Sequence, residues 1–321
     1  MINILVSADW HINLHKKKVK YNWSVNRFKQ FFTQILELEE SHDIHIISGD
    51  IFDKKPEPDE ICLFLDYINS VKIPTYIIPG NHEATKKGSS FLEHFCEHNA
   101  INNPLVSIFT KNTRVTVLGQ QFYFFPYGEV ETKNLLAHQS GEILVSHIRG
   151  EVPPHITEEF DFERLRPWNL ILLGDLHFYH RHRDFNAWYP GSPLNTTFDR
   201  DTSRDYGVLS IEFISIDKYK VNFINLDLPK LIRKTVKNKE QMKPDDKHYV
   251  IYEITGSLDE LAAVENSELL DKKIAVKPSS QATLNLHNLS LVEEVEQYLQ
   301  FKQIEQKDLI LNEFKQLGIV E

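Results

Sequence analysis

The chain has 321 residues, of which 41% are hydrophobic and 26% charged, and its formal net charge is -10. That length exceeds one minimal core and predicts about two domains with an appendage, and the composition excludes a disordered chain. No apolar run approaches the ~20 residues of a membrane span, and the acidic balance argues against tight, autonomous binding of nucleic acid, whose phosphates call for excess Lys and Arg.

In chain order, Ile2 to Val6 is an apolar run of the kind found in buried strands, and it closes on Asp9, Trp10 and His11. Lys16, Lys17, Lys18 and Lys20 follow, with Tyr21 and Trp23 just beyond. Ser24 to Glu40 places Phe28, Phe32, Ile35 and Leu36 at helical spacing. Ile44 to Ile47 is a second strand, closing on Gly49 and Asp50. Asp59 to Val71 is a second helix, and Tyr76 to Ile78 a third strand ending at Gly80, Asn81, His82 and Glu83. Arg114 to Leu118 is expected to pair with Phe122 to Phe125. Ile143 to Val145 leads to His147, and Leu170 to Leu173 to Gly174, Asp175, Leu176 and His177. The basic stretch His180, Arg181, His182 and Arg183 comes next. Gly207 to Ile214 and Lys220 to Asn225 form a further strand pair.

Because the later strands cluster without helices between them, the fold class expected is α/β, a two-sheet α/β sandwich, in preference to a single doubly wound sheet. Pro229 to Lys247 is polar and Lys-rich and reads as a connecting segment. His248 to Thr255 is then a strand, Ser257 to Val264 a short helix and Lys273 to Val276 a strand, together a small α+β unit. Ser290 to Lys302 and Glu305 to Leu317 read as two amphipathic helices, with Leu291, Val292, Val295 and Leu299, then Leu309, Ile310, Phe314 and Leu317, as apolar positions. The expected domains are 1–226, 227–282 and a helical tail, 283–321. Cys62 and Cys96 lie outside any metal motif and read as reduced packing residues of a soluble, unprocessed, cytoplasmic protein.

Each polar cluster stands at the carboxyl end of a strand, and in layered α/β proteins those ends share one edge, where ligands bind. The spacing of two in Asp9/His11 and in Asp175/His177 would point both members of a pair the same way if strand geometry persisted, so that each pair could grip one ion. Imidazoles, carboxylates and one carboxamide, with no Cys, suit manganese, iron or zinc. Two such ions roughly 3.5–4 Å apart would share a bridging ligand, clamp a phosphate and deprotonate a water. Taken singly the residues have plainer readings. Asp9 or Asp50 could cap a helix or form a turn, Asn81 after Gly80 could be a turn, His147 a buried structural histidine, and Asp53 reads as structural. The ordered set is what points to a site.

That order, Asp-x-His, Gly-Asp-x-x-Asp, Gly-Asn-His-Glu, His, Gly-x-x-His, resembles the calcineurin-like metallophosphoesterases. Gly49-Asp50-Ile51-Phe52-Asp53 and the later Tyr189-Pro190-Gly191-Ser192 narrow the resemblance to the SbcD-type nuclease subunit of double-strand-break processing complexes, bacterial and phage. The resemblance implies that Asp9, His11 and His177 hold one metal, that Asp50 bridges both, and that Asn81, His147 and Asp175 hold the second. His82 is then left beside the scissile phosphate, to protonate the leaving oxygen or stabilise the transition state. Glu83 orients it or supports the ligands from behind. One position departs: relatives read Gly-His-x-His at the last cluster, and this chain has Asp175 at the first of those histidines. A third carboxylate favours manganese or magnesium over zinc; the alternative is a weakened second metal.

The resemblance further implies a metal-dependent DNA nuclease subunit, exonuclease with endonuclease capacity, acting in recombination, repair or replication. Its tail would dock on an SMC-like ATPase of SbcC type and its small α+β unit would be a DNA-guiding cap. The two basic segments would flank the cleft and touch the DNA backbone. Homodimerisation is common in the family, with Phe28 to Phe32 and the Asp59 to Val71 helix as candidate surfaces. A small-molecule phosphodiesterase or phosphatase, an RNA-directed nuclease and a catalytically weak DNA-end scaffold are the alternatives.

Overall fold

A computed structural model of the chain describes residues 1–85, 89–97, 101–130, 141–150, 160–243, 245–256, 261–262, 264, 267–274, 290–304 and 306–316. Its first half alternates strand and helix: β1 (Ile2–Ser7), α1 (Tyr21–Glu39), β2 (Ile44–Ser48), α2 (Pro58–Ile68), β3 (Thr75–Ile78), α3 (Glu93–Glu97) and β4 (Val106–Ile108). Then come β5 (Thr113–Val117), β6 (Gln120–Phe125), α4 (Tyr127–Val130), β7 (Ile143–His147), β8 (Ile171–Gly174), β9 (His180–Arg181) and β10 (Ala187–Tyr189). A long hairpin, β11 (Gly207–Ser215) and β12 (Lys218–Asn225), follows.

These strands form two six-stranded sheets, in the orders β12-β11-β1-β2-β3-β4 and β5-β6-β7-β8-β10-β9. The period-2 alternation of strands explains why both are covered on both faces. Ile4, Val6, Ile44 and Ile46 of the first sheet meet Phe122, Phe124, Val145 and Leu172 of the second in one core. Their neighbours Leu5 and Ile47 point the other way, onto Phe28, Phe31, Ile35 and Phe64 of the helices. The outer face of the second sheet is covered by Phe160, Phe162, Leu165 and Trp168. The expected α/β sandwich is thus the fold observed, and the strand pairs β5/β6 and β11/β12 are as predicted. Within each sheet the strands that carry the clusters are parallel, β1-β2-β3 in one and β7-β8 in the other, so their carboxyl ends fall on a common edge.

Three expectations need correction. The segment from Pro229 to Lys247 is not merely a connection: it contains β13 (Leu231–Val236), which pairs in parallel with β14 (Tyr249–Gly256). Its apolar start is anchored by Asn195, whose side chain accepts from the Leu231 N–H at 3.0 Å and donates to the Leu231 carbonyl at 2.7 Å, while the buried Arg27 holds the Pro229 carbonyl at 2.7 Å. The Lys-rich composition beyond Ile232 hid this strand. Phe28, Phe31 and Phe32 are buried core residues, which removes them as a pairing surface. Cys62 is exposed on α2 and does not pack, whereas the Cys96 side chain lies outside the described residues.

With β15 (Leu270–Ile274), β13 and β14 make a third sheet, order β13-β14-β15. Most of the short helix expected over Ser257 to Val264, and the end of the strand expected over Lys273 to Val276, lie outside the described residues. Compactness divides the chain into one unit of Met1–Ile254 with Asn266–Asp271 and another of Thr255–Glu265 with Lys272–Glu321. The second carries α5 (Leu291–Phe301) and α6 (Lys307–Gln316). α5 begins in a capping box, in which Ser290 accepts from the Glu293 N–H at 3.4 Å and Glu293 accepts from the Ser290 N–H at 2.7 Å. Among the described residues no helix is long and apolar enough to cross a membrane.

Candidate metal centre

β1 stops at Ser7, and strand geometry does not persist into the first motif. Asp9 and His11 both take left-handed backbone, φ 55° and 46°, as do Asp50 at 54° and Asp175 at 101°. Non-glycine residues rarely adopt such angles, at a cost of order 1–3 kcal/mol each. Here the surroundings impose them. The Asp9 and His11 N–H groups donate to the carbonyls of Gly49 and Asp50, each at 3.0 Å, which laces the loop after β1 to the loop after β2. Between them Trp10 is fully buried, edge-on to Phe31 and Tyr67, and its Nε1 donates to Ser7 Oγ at 3.0 Å. With Trp10 locked inward, Asp9 and His11 face the cleft.

Glu83 is the second brace. Fully buried, it accepts from the N–H groups of Asp50 at 3.0 Å, Phe52 at 3.0 Å and Gly80 at 2.8 Å, joining the loops after β2 and β3. Burial, followed by the nearby Asp50, pushes its carboxyl up to about 7. The Glu83 hydrogen bonds thus go to loop N–H groups and not to His82, whose Nδ1 donates to the Asp53 carbonyl at 2.5 Å.

Three glycines surround His147. A Cβ on Gly49 or on Gly174 would lie 2.5 Å from His147 Nδ1, and one on Gly80 would fall on the Asp50 carboxylate. Only glycine lets the three loops close this tightly. Gly174→Ala is therefore expected to displace the imidazole, destabilise the fold by about 1–3 kcal/mol through overpacking, and weaken metal binding. Thermal denaturation and a manganese titration check this.

The predicted ligands come together in two groups whose donor atoms lie within 4.8 Å of one another: Asp9, His11 and His177, and Asp9, Asp50 and His147. Asp9 belongs to both. Asp50 also reaches both, with one carboxylate oxygen 3.6 Å from His11 Nε2 and the other 3.5 Å from His147 Nε2. His11 Nε2 and His177 Nε2 are 3.0 Å apart, the separation of two nitrogens each bound at about 2.1 Å to a shared ion. Asp175 groups with His147, at 3.8 Å, and not with its sequence neighbour His177. Of the two pairs with a spacing of two, Asp9 and His11 do share one group, whereas Asp175 and His177 part, Asp175 standing on left-handed backbone at φ 101°.

Two buried atoms report the missing partner. His147 donates from Nδ1 to the Ser48 carbonyl at 2.7 Å, leaving Nε2 buried without a hydrogen bond, and Asn81 Oδ1 is likewise buried without one. Polar atoms so placed cost free energy unless something meets them. Charge gives the same answer. Burial raises the Asp9 carboxyl, and Asp50 and Asp175 add to this against the pull of His147, so it stands well above the carboxylate range. Burial works against the charged His147, yet Asp50, Asp9 and Asp175 outweigh it and hold the imidazole well above its usual value. Three crowded carboxylates demand positive charge, which divalent cations would supply by displacing protons. The donor set fits two such ions.

A third grouping of donor atoms, His11, Asp53 and His82, adjoins the first two. Asp53 Oδ1 lies 3.6 Å from His11 Nδ1, the nitrogen turned away from the cluster, and Asp53 Oδ2 accepts from Asn13 at 2.7 Å. The sequence placed Asp53 as structural and did not show its nearness to His11. It also missed Ser192 Oγ donating to the Asp9 carbonyl at 2.6 Å, Thr196 Oγ1 at 3.2 Å from His177 Nδ1, and Arg149 beside Asp175. Ser192 lay within a quoted motif; the others had no sequence signal. Of the basic residues, Lys16 lines a small cavity with His11, Asp53 and Thr196. Lys18 pairs with Asp271, Arg181 lies 4.8 Å over the Trp188 ring, and His182 packs between Phe162 and Phe185.

Two sheets meeting at an edge of imidazoles centred on buried carboxylates define a metallophosphoesterase. Residues 2–179 match the calcineurin-like phosphoesterase family model, and the chain belongs to that family. It is 35% identical over 312 residues to the probable exonuclease subunit 1 of Escherichia phage T5, an alignment that covers 95% of this chain and 93% of the relative. The resemblance read from the motifs is borne out, and the phage relative agrees with its SbcD-type narrowing. Among solved structures, a protein of Thermus thermophilus aligns with a TM-score of 0.42 at 11% identity, over 69% of this chain and 98% of that one. A conserved uncharacterised protein of Streptococcus pneumoniae aligns with a TM-score of 0.34 at 13% identity, over 70% and 89%.

Proposed function

We propose that the chain is the metal-dependent nuclease subunit of a DNA-processing complex, hydrolysing phosphodiester bonds as an exonuclease with endonuclease capacity. The observation that carries this reading is Asp50, one buried carboxylate within reach of His11 on one side and His147 on the other. Asp9, His11 and His177, and Asn81, His147 and Asp175, with Asp50 in reach of both groups, would hold divalent cations, and these would supply Lewis-acid chemistry for phosphate and water near neutral pH. His82 stands beside them with its side chain 37% exposed and Nε2 on the Asp50 side, placed to protonate the leaving oxygen. Glu83 keeps the Asp50 and Gly80 loops from shifting as substrate binds. Three carboxylates and no thiolate favour manganese, then magnesium.

DNA as substrate is supported by the likeness to a phage exonuclease subunit. On this reading residues 1–226 are the nuclease core, 227–282 a cap that guides DNA, and 283–321 a tail that docks on an SMC-like ATPase of SbcC type. That partner would supply the DNA grip that a net charge of -10 denies this chain. The protein would work in the cytoplasm, of the host where the source is a phage.

The tail reading draws on exposed apolar residues of two short helices: Tyr298, Phe301, Leu309 and Ile310. Phe301→Asp with Leu309→Asp should leave manganese-dependent cutting by the isolated chain within about twofold. Each substitution removes roughly 1.5–3 kcal/mol of apolar burial from the complex, so co-purification with the ATPase should be lost.

The direct test is hydrolysis of end-labelled linear duplex DNA with manganese, magnesium or no metal, with and without the ATPase, beside free nucleotides and RNA. Manganese-dependent cutting of DNA supports the proposal. Hydrolysis of free nucleotides with DNA untouched would favour a small-molecule phosphodiesterase.

A further inference from the structure

We propose that Arg149 is a positioning residue for the second metal: its guanidinium fixes the outer oxygen of Asp175, so that the inner oxygen faces His147 and the cation held there. The inference rests on the reading of Asp175 as a ligand.

Asp175 is poorly held by its own backbone. Its φ of 101° lies far from the 46° to 55° that His11, Asp50 and Asp9 share, and its N–H is taken by the Asp9 carboxylate at 3.1 Å. The side chain is 5% exposed and its two oxygens have different neighbours. Oδ1 is 3.8 Å from His147 Nε2, and Oδ2 is 3.3 Å from Arg149 Nη1. Of the three carboxylates in the cluster, Asp175 alone has a guanidinium or ammonium within ion-pair distance among the described residues. Arg149 follows His147 by two residues, so one strand end delivers both the imidazole and the group that holds its neighbouring carboxylate.

A histidine offers one ligating nitrogen and a fixed ring, whereas a carboxylate on a short stem can swing or turn. Where the family pattern has an imidazole, this chain therefore needs something to stop the carboxylate turning, and the Arg149 guanidinium, in ion-pair contact with Oδ2 though not hydrogen-bonded to it, is the charged group placed to do so. The opposing effect is repulsion: Arg149 is a positive charge beside a cation site. If Arg149 only trimmed excess negative charge, its removal would tighten cation binding. If it positions Asp175, its removal weakens binding.

Manganese titration of the full-length chain, read by electron paramagnetic resonance and calorimetry, separates the two by sign. The wild type should bind two ions. Arg149→Gln should keep the first at wild-type affinity, which also reports a folded chain, and bind the second about 10- to 100-fold more weakly, the usual cost of losing a group that orients a ligand. Arg149→Lys, which keeps a charged donor, should recover most of that loss, and Asp175→Ala should lose the second ion.

An unchanged or tighter second ion in Arg149→Gln, with the ion lost in Asp175→Ala, would overturn the positioning role. So would loss of both ions in Arg149→Gln that Arg149→Lys does not restore. Two ions held at wild-type affinity by Asp175→Ala would instead overturn the reading of Asp175 as a ligand.

Discussion

Asp50→Ala is expected to bind neither cation tightly and to cleave duplex DNA about 10³-fold more slowly, or worse. The carboxylate is 2% exposed and does three things at once. One oxygen faces His147 Nε2 at 3.5 Å and accepts the His82 N–H at 2.9 Å; the other faces His11 Nε2 at 3.6 Å. Losing one preorganised stabilising group at a reacting centre costs roughly 10²–10³ in rate, and on the proposed reading both cation positions depend on Asp50. The orphaned His82 N–H adds about 1–3 kcal/mol of instability, which a thermal melt detects. Metal content and kcat/KM measured together decide the matter. A variant that keeps two ions would remove Asp50 from the bridging position.

His82→Ala should show the opposite pattern, with both metals retained and kcat lowered by roughly 10²–10⁴, the range for a lost general acid. Its Nδ1 is occupied by the Asp53 carbonyl, so Nε2 is the nitrogen free to serve the leaving oxygen, and it lies 3.9 Å from Asp50. A nitrophenyl phosphodiester makes the assignment sharp. Its leaving oxygen departs without a proton, so the variant should lose little on that substrate and much on DNA. Equal losses on both would assign His82 to charge stabilisation on the phosphate.

The strands that carry the site were legible because each is a short, predominantly apolar run, as the two-faced burial of both sheets favours: Ile44 to Ile47, with only the hydrogen-bonded His45 polar, and Leu170 to Leu173 have no exposed member. The ligand residues were legible because each follows such a run directly. That Asp175 turns to His147 and away from His177 was not, because pairing by spacing assumes strand geometry and Asp175 has left it; Asp9 and His11 stay together in one group. β13 was missed because only Leu231 and Ile232 at its start, and Val236 at its end, are buried, in a stretch whose other residues are Arg, Lys and Thr. The contacts of Arg149, Asp53 and Thr196 had no signal because each residue meets its neighbour in the site across the fold, through geometry that no local pattern encodes.

The left-handed ligands also bear on how such a motif can vary over evolutionary time. Among residues with a side chain, Asn, Asp and His tolerate that backbone region best. As ligands in the proposed site, Asp9, His11, Asp50 and Asp175 would therefore answer to two filters, one set by the main chain and one by the cation. Glutamate chelates but is ill suited to the turn; glycine suits the turn but has no donor. The alphabet open to these positions is the short overlap of the two lists, and an exchange of histidine for aspartate, as at position 175, is one of the few moves that satisfies both.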